Sequence, residues 1–214
     1  MVPGPYAHYR DLHALLDHLG VERAALVGAS MGGSVAIDFT LEHPDRVSAL
    51  VLVDPGLDGY RFQDPWLKER WNASEDALER GDWEEAARIE TATWLAGPDR
   101  VIETLPRELR DLLHDMLLAS YPATRAGGVE EGPDRSSIER LNEIVVPTLV
   151  LVGEHDVPDM KRIAEILGSG IRGAESGTLA DAAHLPSLEC PEEFNRIALA
   201  FLDRVLPTSS VSSG

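Results

Sequence analysis

The feature that most constrains the fold is a glycine-flanked serine, Gly28-Ala29-Ser30-Met31-Gly32, set between a short apolar run and a helical pattern. The run before it, residues 24–28, has the continuous apolar character of a strand buried on both faces. Apolar positions at helical spacing follow, from residue 30 to about residue 42. A direct change from strand to helix requires a tight turn, with glycines where a Cβ would collide with the neighbouring strand and helix. The motif therefore predicts a serine hydroxyl lifted above one edge of a sheet.

Two further apolar runs have the same strand character and are separated by helical patterns. They cover residues 49–53 and 148–152, and they end in the turn-prone sequences Asp54-Pro55-Gly56 and Gly153-Glu154-His155-Asp156. A helical pattern over residues 5–19 precedes the first strand. Buried strands that alternate with helices predict the α/β class, with a mostly parallel sheet flanked by helices.

The chain changes character between the second and third apolar runs. Residues 57–144 contain all four tryptophans and no buried-strand pattern, which indicates a helical insertion. The core of the fold would then consist of residues 1–56 and 145–206. The Ser-rich end, residues 207–214, is expected to be disordered.

Composition and charge exclude several classes of function. The 214 residues have a formal net charge of −18, so the surface would repel nucleic acid and anionic membranes. No run approaches the ~20 apolar residues of a membrane span, and no secretion signal is recognisable at the N-terminus. The single cysteine, Cys190, fits a reducing, cytoplasmic location. We therefore expect a cytoplasmic protein whose partner is a small molecule.

A serine hydroxyl becomes a good nucleophile only when a base takes its proton, so one of the seven histidines must lie close to Ser30. His184 is the preferred base, because it lies in a loop after the last strand-like segment and before a helix over residues 191–205. Three other histidines, His8, His13 and His18, are five residues apart on one helix, which argues against a metal site. No metal and no cofactor is expected.

The base needs a carboxylate to fix its tautomer and to stabilise its charged form. Asp156 is the first choice, because it lies just beyond the carboxyl end of a buried strand, where sites in open α/β sheets form. Asp54, also just beyond a strand, is the alternative. The backbone N–H of Met31, at the start of the helix after Ser30, is the candidate donor to a developing oxyanion.

Four segments resemble the α/β-hydrolase superfamily: residues 26–33, 43–54, 147–156 and 184–194. Within it, they are similar to small-molecule hydrolases with a serine nucleophile, such as 3-oxoadipate enol-lactonases, carboxylesterases and C–C bond hydrolases. The resemblance implies that the insertion is a helical cap. Haloalkane dehalogenases and epoxide hydrolases carry an aspartate at the position of Ser30, so the resemblance disfavours those activities.

The front of the chain departs from the family pattern. Members usually begin with several strands and a His-Gly oxyanion loop, and this sequence starts at the helix that follows them. The resemblance therefore implies that the N-terminal part of the core is absent from this sequence. A second oxyanion donor would then be missing, and the strand at residues 24–28 would have a free apolar edge, through which the chain could form a homo-oligomer.

Two hypotheses of different classes follow. The first is a serine hydrolase of a small ester, lactone or related acyl or C–C substrate, with Ser30, His184 and Asp156 as its catalytic residues. Trp94 and Leu185 are candidate substrate contacts, although packing in the core explains a tryptophan equally well. The second is a catalytically impaired fragment of the hydrolase fold that acts as a binding module or needs a partner to complete its sheet.

Overall fold

The order of strands and helices follows the alternation that the sequence predicts. A computed structural model of the chain describes residues 4–124 and 128–206. Its elements are, in chain order, β1 (Pro5–Tyr6), α1 (His8–His18), β2 (Ala24–Ala29), α2 (Met31–Glu42), β3 (Val47–Val53), α3 (Pro65–Glu79), α4 (Trp83–Thr91), α5 (Arg107–Thr124), β4 (Val129–Glu130), β5 (Thr148–Gly153), α6 (Pro158–Gly170), β6 (Glu175–Leu179), α7 (Pro186–Glu189) and α8 (Pro191–Val205). The tail expected to be disordered, residues 207–214, lies outside the described residues.

The central element is a four-stranded parallel sheet with the strand order β2-β3-β5-β6. All of its neighbouring strands are parallel. Because parallel strands point the same way, the turns that follow β2, β3, β5 and β6 lie side by side at one edge of the sheet. This edge collects the residues that follow those strands, among them Ser30, Asp54, Asp156 and His184.

The two middle strands are buried on both faces, as their apolar sequence predicts. On one face, Leu50 and Leu52 of β3 belong to a core cluster that includes residues of α1, α2 and α6. On the other face, Ala49 and Val51 belong to a cluster with Phe201 of α8. The alternation of side chains along β3 therefore places helices on both sides of the sheet.

The prediction that the first apolar run is buried on both faces is wrong for β2. Val27 is 54% exposed, although the neighbouring strand β3 is buried almost throughout. The reason is position: within the described part of the chain, β2 ends the sheet and pairs only with β3. Its apolar residues thus form an edge strand, as expected for a core whose first strands are absent from the sequence.

The described part of residues 57–144 contains α3, α4, α5 and a π-helical turn over Ala92–Ala96. The sequence did not indicate β4, which forms a two-residue parallel pair with β1. The helix expected over residues 5–19 accordingly begins only at His8, because Pro5 and Tyr6 are in this extended pair. Both strands are exposed, so no buried-strand pattern marks them. In the ranges that the structure describes, no helix is long and apolar enough to cross a membrane.

Candidate active site

The turn between β2 and α2 holds Ser30 in an unusual backbone conformation, with φ 50° and ψ −119°. A positive φ is uncommon for a residue other than glycine, and it costs on the order of 1–3 kcal/mol unless the surroundings fix it. Here the Ser30 N–H donates to the carbonyl of Val53 at 3.0 Å, and the Ser30 carbonyl accepts from Gly33 and Gly56 at 3.0 and 2.8 Å. These hydrogen bonds tie the strained residue to α2 and to the end of β3.

Close packing at this turn explains only one of the two glycines in the motif. A Cβ on Gly28 would lie 2.4 Å from the carbonyl oxygen of Gly32, so the turn requires a glycine there. A Cβ on Gly32 would meet nothing within 4 Å, and the steric explanation from sequence is wrong for that position. Gly33, one residue beyond the motif, is the second crowded position, because its Cβ would lie 2.5 Å from Cβ of Pro55.

Ser30, His184 and Asp156 form a continuous chain of hydrogen bonds. Oγ of Ser30 lies 2.9 Å from Nε2 of His184, and Nδ1 of His184 lies 2.8 Å from Oδ2 of Asp156. A neutral imidazole with its proton on Nδ1 satisfies both contacts, since Nδ1–H donates to the carboxylate and Nε2 accepts from the serine hydroxyl. Asp156 is fully buried, and its Oδ1 accepts from the N–H of Val157 at 2.7 Å.

The loops that carry Asp156 and His184 are packed directly against each other. The N–H of His155 donates to the carbonyl of Ala182 at 2.9 Å. A Cβ on Gly153 would overlap the carbonyl oxygen of Ala183, because the last residue of β5 passes under the loop that follows β6. Asp156 and His184 are therefore placed by contacts between neighbouring loops, each fixed by its own strand.

The alternative acid, Asp54, lies beside this pair and is also fully buried. Its Oδ1 accepts from the N–H of Gly153 at 2.9 Å, whereas Nδ1 of His184 is paired with Asp156. In the structure, His184 therefore pairs with Asp156 and not with Asp54. One atom that could bind a metal ion, from each of Asp54, Asp156 and His184, lies within 4.8 Å of the other two. A cation bound by all three would compete with the hydrogen bond between His184 and Asp156.

The other three sequence candidates lie around the same edge. Met31 is the first residue of α2, and the first N–H groups of a helix have no partner inside it, so this N–H is available beside Ser30. The ring of Trp94 lies 4.5 Å from the ring of His184, centre to centre, and the Trp94 carbonyl accepts from the His184 N–H at 3.1 Å. Leu185, next to the base, is partly buried.

Sequence reasoning missed a carboxylate that holds the loop of His184 from both sides. Oε1 of Glu189 accepts from the N–H of Ala183 at 2.9 Å and from the N–H of Leu185 at 3.1 Å. The Glu189 side chain is only 3% exposed. Its position five residues after His184, inside a segment that resembles the hydrolase superfamily, was the available signal.

The same carboxylate is paired with Arg100, which comes from the inserted segment. Nη2 of Arg100 lies 2.5 Å from Oε2 of Glu189, and the guanidinium also donates to the carbonyls of Leu95 and Asp181. Arg100 and Glu189 are 89 positions apart, so no local pattern connects them. The pair joins the end of the π-helical turn to the loop of His184.

We expect Glu189→Ala to lower the free energy of unfolding by about 3 kcal/mol, because it leaves a largely buried guanidinium and two loop N–H groups without their partner. Urea unfolding followed by circular dichroism measures this. The matched control is Glu85→Ala, which removes an ion pair with Arg88 on the surface and should cost far less. Equal losses in the two variants would contradict the role assigned to Glu189.

Comparison with known proteins agrees with this architecture. A family model described as alpha/beta hydrolase fold matches residues 5–191. A 2-hydroxy-6-oxononadienedioate/2-hydroxy-6-oxononatrienedioate hydrolase from Paraburkholderia phymatum is 31% identical over 199 residues, which are 90% of this chain and 67% of the relative. The chain thus spans about two thirds of that relative's length, which is consistent with the expected absence of the first strands from this sequence.

Solved structures of hydrolases also share the fold of this chain. A thermophilic esterase from Thermogutta terrifontis superposes with a TM-score of 0.76 at 28% identity, over 96% of this chain and 75% of the esterase. An enol-lactonase from Burkholderia xenovorans superposes with a TM-score of 0.71 at 23% identity, over 94% of this chain and 75% of the lactonase. At that identity the second likeness shows a shared fold alone.

Proposed function

The chain belongs to the α/β hydrolase fold family, and on that premise we propose that it is a serine hydrolase of a small ester, lactone or related acyl or C–C substrate. The observation that carries the proposal is the hydrogen-bonded chain from Ser30 through His184 to Asp156. The named activities of the relatives, which include a C–C hydrolase and an esterase, support a small-molecule substrate.

The proposed reaction begins with attack of Ser30 Oγ on the substrate carbonyl carbon, while Nε2 of His184 takes the hydroxyl proton. The Asp156 carboxylate keeps Nδ1 protonated and stabilises the positive charge that the imidazole gains. When the tetrahedral intermediate collapses, Nε2 returns the proton to the leaving group. Water then attacks the acyl-enzyme while Nε2 of His184 accepts its proton. When the second tetrahedral intermediate collapses, Nε2 returns that proton to Oγ of Ser30 and the acid product leaves.

The negative charge on the carbonyl oxygen would be stabilised by the N–H of Met31 and the positive end of the α2 dipole. Because loss of one oxyanion donor typically slows turnover by about 10²–10³-fold, the Met31 N–H would contribute a large part of the rate.

We further propose that residues 57–144 act as a cap over this edge of the sheet. Trp94 supports the idea, since its ring lies against His184 while its carbonyl binds the loop of the base. A substrate at Ser30 would then contact Trp94 and Leu185, and the acyl group would lie in partly apolar surroundings.

Labelling with a fluorophosphonate probe tests the proposed function without knowledge of the substrate. Such probes react with a serine only when a neighbouring base activates it. We expect one adduct, mapped to Ser30 by peptide mass spectrometry, that is absent in Ser30→Ala and retained in Ser187→Ala, a control at an exposed serine near the site. A folded sample that takes up no label would contradict the proposal and favour the impaired, binding-module alternative.

Two further expectations from the sequence stay predictions. The free edge of β2, with Val27 exposed, is a surface on which a second copy could pair, and gel filtration measures that. A cytoplasmic setting is consistent with a single free cysteine, and cell fractionation measures that.

A further inference from the structure

Asp54 is a fully buried carboxylate that the proposed mechanism does not use. It follows β3 with a φ of 42°, a conformation that favours glycine, so the chain accepts backbone strain to place this side chain. Its N–H donates to the carbonyl of Leu151 at 2.9 Å, and its Oδ1 accepts from the N–H of Gly153. These contacts to β5 aim the carboxylate at the turn that carries Asp156.

The second oxygen of Asp54 has no hydrogen-bond partner among the residues that the structure describes. Oδ2 is buried and lacks a protein partner, and a carboxylate oxygen so placed carries an uncompensated charge. A carboxylate oxygen of Asp54 lies within 4.8 Å of a carboxylate oxygen of Asp156 and of a ring nitrogen of His184. Asp156 is itself acceptor-only when ionised, so two carboxylates face each other without a donor between them.

A proton on Asp54 would remove the repulsion between these two carboxylates. The carboxyl would then donate to Asp156, and only one negative charge would remain in the buried group. Burial raises the pKa of Asp54 well above its ordinary value, and the neighbouring Asp156 carboxylate raises it further, with a smaller contribution from Glu189. Among the described residues, the titratable groups that face Asp54 are thus Asp156, His184, Glu189 and Cys190.

We infer that Asp54 is held in its protonated form and donates a hydrogen bond to Asp156, which makes it a positioning residue for the acid of the site. The inference rests on the proposed function, because it assigns Asp54 a role through Asp156 and His184. Asp54 touches no reacting atom. Its proton keeps Asp156 oriented toward Nδ1 of His184 and keeps a second negative charge away from the base.

The test compares Asp54→Asn with Asp54→Ala by the rate of fluorophosphonate labelling at Ser30. Asparagine has the shape of a protonated aspartic acid, with an oxygen for the Gly153 N–H and an N–H for Asp156. We expect Asp54→Asn to label within about 3-fold of the wild type at pH 7, and Asp54→Ala to label at least about 10-fold more slowly. The control is Asp203→Asn, the same substitution at an exposed position on α8.

The pH profile of labelling distinguishes a neutral Asp54 from an ionised one. If Asp54 is neutral, Asp54→Asn leaves the charge beside His184 unchanged, and the acid limb of the profile stays at the same pH. If Asp54 is ionised, the substitution removes a negative charge within 4.8 Å of the ring. The acid limb would then move to lower pH by about one unit or more.

Stability provides an independent measurement. A raised pKa in the folded state means that the folded protein holds a proton that the unfolded chain releases above about pH 4. The wild type should therefore lose stability relative to Asp54→Asn as the pH rises from about 4 through the folded-state pKa. Urea midpoints at several pH values record this difference even if Asp54→Ala does not fold.

The outcomes separate the two proposals. No label on wild-type Ser30 would count against the proposed function, and the stability comparison would still test the protonated state. Label on the wild type with equally slow Asp54→Asn and Asp54→Ala would overturn the inference, because the negative charge would then be what matters. The inference would also be overturned if the acid limb of the Asp54→Asn profile moved, or if the wild type and Asp54→Asn had parallel curves of stability against pH. An Asp54→Ala variant that labels as fast as the wild type would overturn it too, as would a wild-type labelling rate that changes on dialysis against EDTA.

Discussion

Ser30→Ala should lower kcat for hydrolysis of a small activated ester, such as p-nitrophenyl butyrate, by about 10⁴-fold or more. Without Oγ there is no atom to form the acyl-enzyme, and only binding and the oxyanion donor remain to accelerate attack by water. The expected loss is larger than that for any other single residue outside the proposed Ser30–His184–Asp156 group. Steady-state kinetics measures it directly, with enzyme purified from a host that lacks background esterase activity.

A second variant makes this result diagnostic. His184→Ala should cause a loss of similar size, and the double variant should lose little more than either single one, because the two residues act as a unit. Circular dichroism and thermal melting of each variant serve as folding controls. More than about a tenth of the wild-type activity in a folded Ser30→Ala protein would show that another group performs the chemistry.

Gly28→Ala should be the most destabilising of the alanine substitutions in the nucleophile motif. Its Cβ would lie 2.4 Å from the Gly32 carbonyl oxygen and 2.8 Å from the N atom of Gly33, and both are backbone atoms of α2. The strand and the helix would have to separate, at a cost of about 3 kcal/mol or more. Urea unfolding measures the loss of stability, and labelling at Ser30 should be lost with it.

Gly32→Ala is the matched control, since Gly32 is the other glycine of the same motif. Its Cβ would meet nothing within 4 Å, and residue 32 lies in α2, where alanine is favoured over glycine by up to about 1 kcal/mol. We therefore expect unchanged or slightly raised stability. A loss in Gly32→Ala as large as that in Gly28→Ala would show that the turn is tight at both ends, contrary to the structure.

Most of the sheet could be predicted because buried parallel strands are continuously apolar in sequence. β3 and β5 are of this kind, and their bounds lie close to the predicted runs at residues 49–53 and 148–152. β6, with the sequence Glu-Ser-Gly-Thr-Leu, is largely polar at the edge of the sheet and could be recognised only as strand-like. The exposure of Val27 also depends on which strands lie beside β2, and neighbours in space are not encoded in a local pattern.

The candidate site also has a part that could be predicted from the sequence and a part that could not. The order Ser30, Asp156, His184 can be seen in the sequence because each residue follows a strand or a strand-like segment, and parallel strands end at one edge. The pair formed by Arg100 and Glu189 could not be seen, since it joins residues 89 positions apart. Two charged residues at such a separation pair only when the fold of the inserted segment brings them together.

For Ser30, the sequence by itself determined the sharp turn between strand and helix, and four segments of it resemble a hydrolase family. The turn depends on residue spacing and backbone preference over a few neighbouring positions. The tertiary structure decided which carboxylate pairs with His184, which glycines the turn requires, and that Oδ2 of Asp54 lies beside Asp156 without a hydrogen-bond partner in the described part of the chain. Those outcomes depend on differences of a few tenths of an ångström in the distances between atoms of separate strands. The packing of the whole sheet sets these distances.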